Sequence, residues 1–358
     1  MKIGIIGLPQ VGKTTLFNLL TEAGAATGFG SKDKANVGVA NVPDERIDYL
    51  SSVFQPRKTT YAQIEFIDIA GFGAGSNGRD TREFLSALQN VDAVVQVVRA
   101  FDSDVVPHAL GEVDVMRDVD LLQSELVLTD LALLETRLER LNNGRVKVKE
   151  NKLELALLEK CRAHLEAEEP LTQVEFTQDE AAALRQYTFY TAIPMVLSVN
   201  LDEEQLAAGT QGRQAELAAW AAARGMPVIP ICGKLEEEII TLAPEERAPF
   251  LADLGLEETG IARLARTVYR HLGLISYFTV GQDEVRAWTI AAGTNARQAA
   301  GKIHSDIERG FIRAEVVGYE DFKEAGSMNR AKEKGLCRLE GKEYIVRDGD
   351  IISFRFNV

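Results

Sequence analysis

The chain has 358 residues, a formal net charge of −14 at pH 7, 46% apolar residues and 26% charged residues. This composition is ordinary for a folded chain of two or three domains and excludes disorder as the default state. The acidic excess argues against attraction of the whole surface to nucleic acid, although the part from Arg263 onwards is net basic. Any RNA contact is therefore expected in local patches, chiefly towards the C-terminus.

Two further classes of protein are disfavoured by the sequence. No run of about 18 apolar residues is present to span a bilayer, so we expect a cytoplasmic protein without a membrane partner. The three cysteines, Cys161, Cys232 and Cys337, are widely spaced and lack metal-ligand spacing. We therefore expect inert thiols rather than disulfides or a zinc site.

Short runs rich in Val and Ile alternate with helical patterns along the first 230 residues. Such runs are typical of strands that are buried on both faces. The alternation predicts an α/β fold with a parallel sheet covered by helices. The strand candidates are Lys2–Ile6, Ala62–Ile69, Ala93–Val98, Pro194–Val199 and Pro227–Ile231.

Between the third and fourth strand candidates the pattern becomes helical. Leucines recur at helical spacing from Leu121 to Leu141, and a second leucine-bearing run extends from Lys149 to Leu165. Asn142-Asn143-Gly144 separates the two runs. The sequence therefore predicts an antiparallel helical hairpin inserted into the α/β domain, either as a packing element or as a partner contact.

After about Gly273, short alternating strands around glycine turns predict a small α+β domain with one helix, Asn295–Ile307. The strand candidates are Tyr277–Val280, Glu284–Ile290, Phe311–Val317, and a hairpin of Glu343–Val346 with Ile351–Phe356 across Arg347-Asp348-Gly349-Asp350.

A phosphate-binding motif directly follows the first strand candidate. Gly7-Leu8-Pro9-Gln10-Val11-Gly12-Lys13-Thr14 fits the pattern G-x-x-x-x-G-K-[ST] and precedes a helical run. Backbone N–H groups of such a loop and the positive end of the helix bind triphosphate oxygens. Lys13 is expected to reach the β- and γ-phosphates and Thr14 to bind Mg²⁺. The nucleotide-binding residues expected here are Gly7, Pro9, Gln10, Val11, Gly12, Lys13, Thr14 and Thr15.

A second motif, Asp68-Ile69-Ala70-Gly71, ends the second strand candidate. A DxxG sequence in this position places an aspartate near the metal and a glycine N–H near the γ-phosphate. We therefore expect Asp68 to hold Mg²⁺ with Thr14, and we expect Lys13 and Gly71 to be the catalytic groups.

Two later segments are expected to contact the base. Asn200-Leu201-Asp202-Glu203 stands where GTP-specific enzymes carry Asn-Lys-x-Asp, whose aspartate accepts two hydrogen bonds from guanine. Here the carboxylate is Glu203 and the lysine is replaced by Leu201. The change weakens the basis for strict guanine selection, so we predict that ATP is accepted. Cys232-Gly233-Lys234 occupies the position of the last base-contacting loop.

Beyond these motifs, the sequence resembles the YchF or Obg-like ATPases, a family in the Obg branch of the translation-factor GTPases. The resemblance covers nearly the whole chain and is strongest at the C-terminus, which is similar to the family's TGS domain. The N-terminal match is Asn36-Val37-Gly38-Val39 with Val42-Pro43-Asp44. The C-terminal matches are Tyr277-Phe278-Thr279, Val285 to Ile290, Gln298 to His304, Glu308 to Glu315, Asp348-Gly349-Asp350 and Phe354 to Val358.

This resemblance implies ATP hydrolysis with Mg²⁺, binding to the ribosome through its large subunit, contact with RNA and a regulatory role. The implied domains are a P-loop nucleotide-binding domain at 1–117 and 191–273, a helical hairpin at 118–190 and a TGS domain at 274–358. For the basic residues Lys302, Arg309 and Arg313, a solvated face and an RNA contact both stay open.

Departures from the family pattern affect the expected rate. Phe72 follows the DxxG motif where Ras-type enzymes place a water-orienting glutamine, which predicts unassisted turnover on the order of 10⁻³ s⁻¹ or below. Gln10 replaces an asparagine that some relatives use for a monovalent cation, so no potassium dependence is predicted. Ser31 and Lys32 leave the switch I metal ligand unassigned.

Two alternative functions stay open from the sequence. One is a GTP-specific GTPase that uses Lys234 and backbone groups to recognise guanine. The other is a nucleotide-gated module that binds the ribosome or RNA and has only vestigial hydrolysis.

Overall fold

The structure is a computed structural model that describes residues 1–22, 36–71, 78–142, 151–209 and 211–357. Ser31, Lys32 and Phe72, like most of the predicted turn at Asn142-Asn143-Gly144, lie outside the described residues. The chain divides into two compact units. The first unit comprises Met1–Gly38 and Glu65–Leu264, and the second comprises Val39–Ile64 and Ala265–Val358.

The bounds of the described elements are as follows. The strands are β1 (Lys2–Ile6), β2 (Asn36–Asn41), β3 (Lys58–Thr60), β4 (Gln63–Asp68), β5 (Ala93–Arg99), β6 (Met195–Asn200), β7 (Val228–Ile231), β8 (Leu274–Thr279), β9 (Glu284–Ala291), β10 (Phe311–Gly318), β11 (Arg338–Glu340) and β12 (Asp350–Phe356). The helices are α1 (Lys13–Thr21), α2 (Glu45–Phe54), α3 (Gly78–Leu88), α4 (Val115–Asn142), α5 (Asn151–Glu166), α6 (Gln178–Leu184), α7 (Glu203–Ala208), α8 (Arg213–Ala223), α9 (Gly233–Thr241), α10 (Pro244–Asp253), α11 (Gly260–His271), α12 (Ala296–Ile303), α13 (Ser305–Arg309), α14 (Tyr319–Ala325) and α15 (Met328–Glu333).

The predicted parallel sheet is confirmed, with the strand order β2-β4-β1-β5-β6-β7. Parallel pairing joins β4 to β1, β1 to β5, β5 to β6 and β6 to β7. Every residue of β5 is buried, as expected for a strand covered on both faces. Because the carboxyl ends of parallel strands meet at one edge, Gly7, Asp68, Asn200 and Cys232 come together there.

The inserted helical hairpin is also confirmed. The helices α4 and α5 share a buried cluster that includes Leu134, Leu138, Leu157 and Leu158. Leu128 instead is exposed to solvent. Within the described ranges, no helix has both the length and the apolar character that crossing a bilayer requires.

The second unit contains a sheet with the order β11-β10-β12-β8-β9-β3. Its buried core includes Tyr277, Ile290, Ala314 and Ile352 from the strands. Ala299 of α12 packs in the same core. The expected α+β character of the C-terminal region is therefore confirmed. The single helix predicted over Asn295–Ile307 is wrong, because His304 has an extended backbone that separates α12 from α13, and α14 and α15 follow β10.

One predicted hairpin is wrong. The segment Glu343–Val346 forms no ladder with β12 and contributes a single bridge from Ile345 to Asn295, while β12 pairs with β10 and β8. The physical reason lies in the turn, where the Asp350 carboxylate accepts hydrogen bonds from the Tyr344 hydroxyl and the Arg347 N–H. These bonds hold the segment as a closed loop.

The second unit also includes Val39–Ile64, which the sequence-based boundaries assign to the nucleotide-binding domain. In this segment α2 begins after Asp44, whose side chain accepts a hydrogen bond from the Arg46 N–H as a helix cap. The three-residue strand β3 then pairs in parallel with β9, with Lys58 opposite Glu284 and Thr60 opposite Arg286. The strand β3 was not among the predicted strands.

Arg46 is the polar centre of this part of the second unit. Its guanidinium donates to Asp44 at 2.8 Å and to Asp348 at 2.8 Å, and it lies 5.2 Å from the centroid of the Phe278 ring. Burial alone would lower the pKa of Arg46, but its hydrogen bonds to the two carboxylates raise the pKa instead. The guanidinium therefore stays charged. In the same unit, the ring of Phe54 stacks on that of Phe322.

Candidate nucleotide-binding site

Two glycines give the phosphate-binding loop its backbone path. Gly7 has φ +147°, and a Cβ atom there would lie 2.4 Å from the carbonyl oxygen of Val97. Gly12 caps α1 with φ +98°, and a Cβ atom there would lie 2.5 Å from Asn200 Nδ2. Both positions combine a left-handed backbone with a close neighbour, so they require glycine.

Lys13 is the first residue of α1, and its side chain is buried beneath the loop. Only 8% of the residue is exposed, and its Nζ donates to the carbonyl oxygen of Leu8 at 2.8 Å. Burial lowers the pKa of the ammonium to about 8, although the nearby charge of Asp68 acts in the opposite direction. The carbonyl oxygen and the nearby Asp68 offset only part of the cost of burying this ammonium, so the site favours an anionic ligand.

The two predicted metal ligands lie side by side. Thr14 Oγ1 donates to Asp68 Oδ2 at 2.8 Å, where α1 begins and β4 ends. A hydroxyl and a carboxylate are hard oxygen donors of the kind that Mg²⁺ prefers. The residues present therefore fit an Mg²⁺ ion at the phosphate loop.

Gly71 closes the same corner of the site. A Cβ atom on Gly71 would lie 2.8 Å from Lys13 Nζ and 3.1 Å from the backbone nitrogen of Pro9. The backbone of the DxxG segment thus directly borders the lysine and the phosphate loop, which is where a γ-phosphate sensor must lie.

Asn200, at the end of β6, holds two loops together. Its Nδ2 donates to the carbonyl oxygen of Val11 at 3.1 Å, and its Oδ1 accepts from the Gly233 N–H at 3.2 Å. Thr15 is adjacent, since a Cβ atom on Gly233 would lie 3.6 Å from Thr15 Cγ2. The asparagine therefore positions the phosphate loop against the segment after β7, a role that sequence analysis did not predict.

The other expected base-contacting residues divide into buried and exposed ones. Leu201, 3% exposed, belongs to the core, and Cys232 is also buried. Glu203 and Lys234 instead meet at the surface, with Lys234 Nζ 2.8 Å from Glu203 Oε1. The structure thus brings an acceptor and a donor together at the predicted base-binding end of the site.

The loop after β7 is supported by a residue that was not among the predicted site residues. Glu236, in the first turn of α9, is buried, and its Oε1 accepts from the Gly260 N–H at 2.6 Å. Burial raises the pKa of this carboxyl, while the backbone hydrogen bond opposes that shift. A glutamate four residues after Cys232 was the available signal, but its partner lies too far along the chain to be inferred.

Replacing Asn200 with alanine should lower the affinities for ATP and GTP by similar factors, about tenfold, because the loss of two hydrogen bonds loosens both loops. Titrations with both nucleotides measure this effect. Asn90→Ala, at an exposed position outside the site, is the control and should leave both affinities unchanged. A loss confined to one nucleotide would contradict the positioning role and indicate direct base recognition.

Two family models match the chain. The model named 50S ribosome-binding GTPase matches residues 2–130. The model named YchF-GTPase_C, described as a protein of unknown function (DUF933), matches residues 274–357. The first match contains the phosphate loop and the DxxG segment, and the second covers most of the C-terminal strands.

Full-length relatives are similar to the chain from end to end. The "Ribosome-binding ATPase YchF" of Bacillus subtilis is 43% identical over 362 residues, covering 99% of each chain. The protein of the same name from Escherichia coli O157:H7 is 41% identical over 362 residues, covering 100% of this chain and 99% of the relative. The solved structure of the Schizosaccharomyces pombe YchF GTPase has a TM-score of 0.87 at 32% identity, covering 99% of this chain and 97% of that one. This chain therefore belongs to the YchF family.

Proposed function

We propose that this chain binds Mg²⁺ with a purine nucleoside triphosphate, hydrolyses ATP slowly while tolerating GTP, and acts as a ribosome-associated regulatory switch. The observation that carries the proposal is the buried Lys13 ammonium, which lies beneath the phosphate loop beside Gly71. Such an amine, in a glycine-containing loop at the N-terminus of α1, suits the β- and γ-phosphates of a nucleotide.

Each group of the phosphate site has a role in this proposal. On binding, the ammonium of Lys13 would exchange the Leu8 carbonyl for phosphate oxygens and stabilise the charge that develops during phosphoryl transfer. Thr14 and Asp68 would hold Mg²⁺, which supplies neutralisation of phosphate charge. The N–H of Gly71 would bind the γ-phosphate and so report whether it is present.

Three observations favour ATP over the GTP-specific alternative. The bacterial relatives are named ATPases, although the fission yeast structure is titled a GTPase. The position of the guanine-binding aspartate is taken by Glu203, whose Oε1 already contacts Lys234. Leu201, in place of the lysine that packs beside a guanine ring, lies in the core.

The names of similar proteins support the ribosomal partner. The bacterial relatives are named for ribosome binding, and the N-terminal family model is named for the 50S particle, so we propose the large subunit as the partner and the cytoplasm as the site of action. Lys302, Arg309 and Arg313 are exposed on the second unit. Contact between these residues and ribosomal RNA stays a prediction.

Single-turnover hydrolysis of ATP and GTP, with and without purified large ribosomal subunits, tests the function. We expect phosphate release from ATP at about 10⁻³ s⁻¹ or below without ribosomes and faster release with them. Release from neither nucleotide under either condition would overturn the proposal and favour a binding module without hydrolysis.

A further inference from the structure

A glutamine on α7 contacts both its own helix and the end of a distant strand. Gln205 completes a capping box at the start of α7, in which its N–H donates to Asp202 Oδ1 at 2.7 Å and its Oε1 accepts from the Asp202 N–H at 3.1 Å. Its Nε2 donates at 2.7 Å to the carbonyl oxygen of Ala100, which directly follows β5 and lies 105 residues earlier in the chain. The side chain therefore makes one local and one long-range hydrogen bond.

The long-range bond is more than a capping box requires. Glutamate and glutamine both serve at this position of the box, because only a side-chain oxygen is used. Glutamate has no donor, whereas glutamine can use its oxygen for the cap and its amide N–H for a second partner. Gln205 makes both contacts, so its amide nitrogen has a role beyond the capping of α7.

Ala100 bonds to both ends of one segment. Its N–H donates to the carbonyl oxygen of Asn200 at 2.9 Å, and its carbonyl oxygen accepts from Gln205. The segment from Asn200 to Gln205 is thus closed against a single residue at the end of β5. Glu203, which stands where GTP-specific enzymes carry the guanine-binding aspartate, lies between the two bonds.

The helix α7 depends on such tertiary contacts for its position. It has six residues, none of which is fully buried. A helix of this length is not stable by itself in water. Leu206 packs partly buried against the core, but an apolar contact is not directional. The bond from Gln205 to Ala100 therefore provides the directional contact that fixes α7 at the end of β5.

We propose that Gln205 is a positioning residue for nucleotide binding, because its bond to Ala100 holds the segment Asn200–Glu203 where the base binds. The inference rests on the proposed function, since it assumes that a nucleoside triphosphate occupies this site. It concerns the position of the segment rather than the identity of the base, so binding of ATP and GTP should depend on Gln205 equally.

The phosphate end of the site should not depend on Gln205. Asn200 belongs to β6 and keeps its strand pairing with β5 when the side chain of Gln205 is changed. Its bonds to Val11 and Gly233 are therefore retained. Lys13 and the phosphate loop should then bind phosphate as they do in the unmodified protein.

Two substitutions separate the roles of the oxygen and the nitrogen of Gln205. Gln205→Met has a similar shape and removes both contacts, whereas Gln205→Glu keeps an oxygen for the Asp202 N–H and removes the donor to Ala100. The experiment measures dissociation constants for ATP, GTP and inorganic tripolyphosphate with Mg²⁺, and the single-turnover rate at saturating ATP. Both variants should bind ATP and GTP about fivefold more weakly, as expected for the loss of one hydrogen bond. Affinity for tripolyphosphate and the saturating rate should stay unchanged.

Gln211→Met is the matched control, since the exposed Gln211 donates only to the carbonyl oxygen of Ala208, three residues away, among the hydrogen bonds of its side chain in the described ranges. It should leave every affinity within twofold. An ATP affinity within twofold of the unmodified protein for either Gln205 variant would overturn the inference. A loss for tripolyphosphate, or in the saturating rate, as large as the loss for ATP would also overturn it, because a general disturbance of the fold affects both ends of the site. An unmodified protein that binds none of the three ligands would instead refute the proposed function.

Discussion

Replacing Lys13 with alanine is expected to abolish ATP hydrolysis and to weaken ATP binding about 100-fold. The ammonium is buried, it lies beside Gly71, and its only hydrogen bond among the described residues goes to a carbonyl oxygen that phosphate would replace. No other lysine or arginine belongs to the described part of the phosphate-binding motif, so nothing there can substitute for the lost charge. Single-turnover phosphate release and titration with a fluorescent ATP analogue measure the two effects.

Lys2→Ala provides the matched control for this experiment. Lys2 is exposed, lies at the start of β1 and makes a long ion pair with Glu65 at 3.8 Å. The control substitution therefore removes the same charge from the same unit. Its removal should leave hydrolysis unchanged. Turnover of Lys13→Ala within tenfold of the unmodified protein would contradict the assigned role.

Replacing Arg46 with alanine is expected to lower the free energy of unfolding of the second unit by about 1.5 to 3 kcal/mol. The substitution removes hydrogen bonds to Asp44 and Asp348 together with the contact with Phe278. It also leaves the two carboxylates close to each other without their shared cation. Because the Arg46 side chain is 27% exposed, the effect should be smaller than for a fully buried pair.

Urea denaturation monitored by the fluorescence of Trp288 measures this loss, because Trp288 lies in β9 of the second unit. A Trp220→Phe background removes the only other tryptophan. Arg57→Ala is the control, since Arg57 and its partner Asp283 are 86% and 87% exposed. That change should alter stability by no more than about 0.5 kcal/mol. Equal effects of the two arginine substitutions would contradict the central role of Arg46.

Most strands of the first sheet could be predicted because their sequences are unambiguous, whereas β2 was missed. Lys2–Ile6 was predicted with its observed bounds, and β5, β6 and β7 were predicted within about one residue. Each is a short run rich in Val and Ile with polar or glycine residues beside it, and burial on both faces requires such runs. The composition of each segment is therefore enough to identify it as a strand, even when the strands that pair with it are unknown.

The C-terminal unit was harder to predict because alternation identifies a strand but not its partner. Ile351–Phe356 was correctly predicted as a strand but was paired with Glu343–Val346 across a glycine turn. Its observed partners, β10 and β8, lie well before it in the chain. The three-residue strand β3 was missed for the same reason, since it carries too few residues for a periodic signal and pairs only with distant β9.

At the site, the motif residues were predictable and their mutual contacts were not. Lys13, Thr14 and Asp68 follow from spacing, because the chemistry of phosphate and Mg²⁺ dictates residue types at fixed intervals. The bonds from Asn200 to Val11 and Gly233 join positions far apart in the chain. No local pattern encodes them, and the same holds for the pairing of Lys234 with Glu203.

The pairing of β3 with β9 has a consequence for synthesis of the chain. Thr60 and its hydrogen-bond partner Glu284 are 224 residues apart. At elongation rates of about 5 to 20 residues per second, β3 waits about 10 to 45 s for β9 to be made. During that interval Ile47 and Leu50, fully buried in the finished fold, lack the larger, C-terminal segment of their unit, Ala265–Val358. The early segment Val39–Ile64 is thus among the last parts of the nascent protein to reach its final structure.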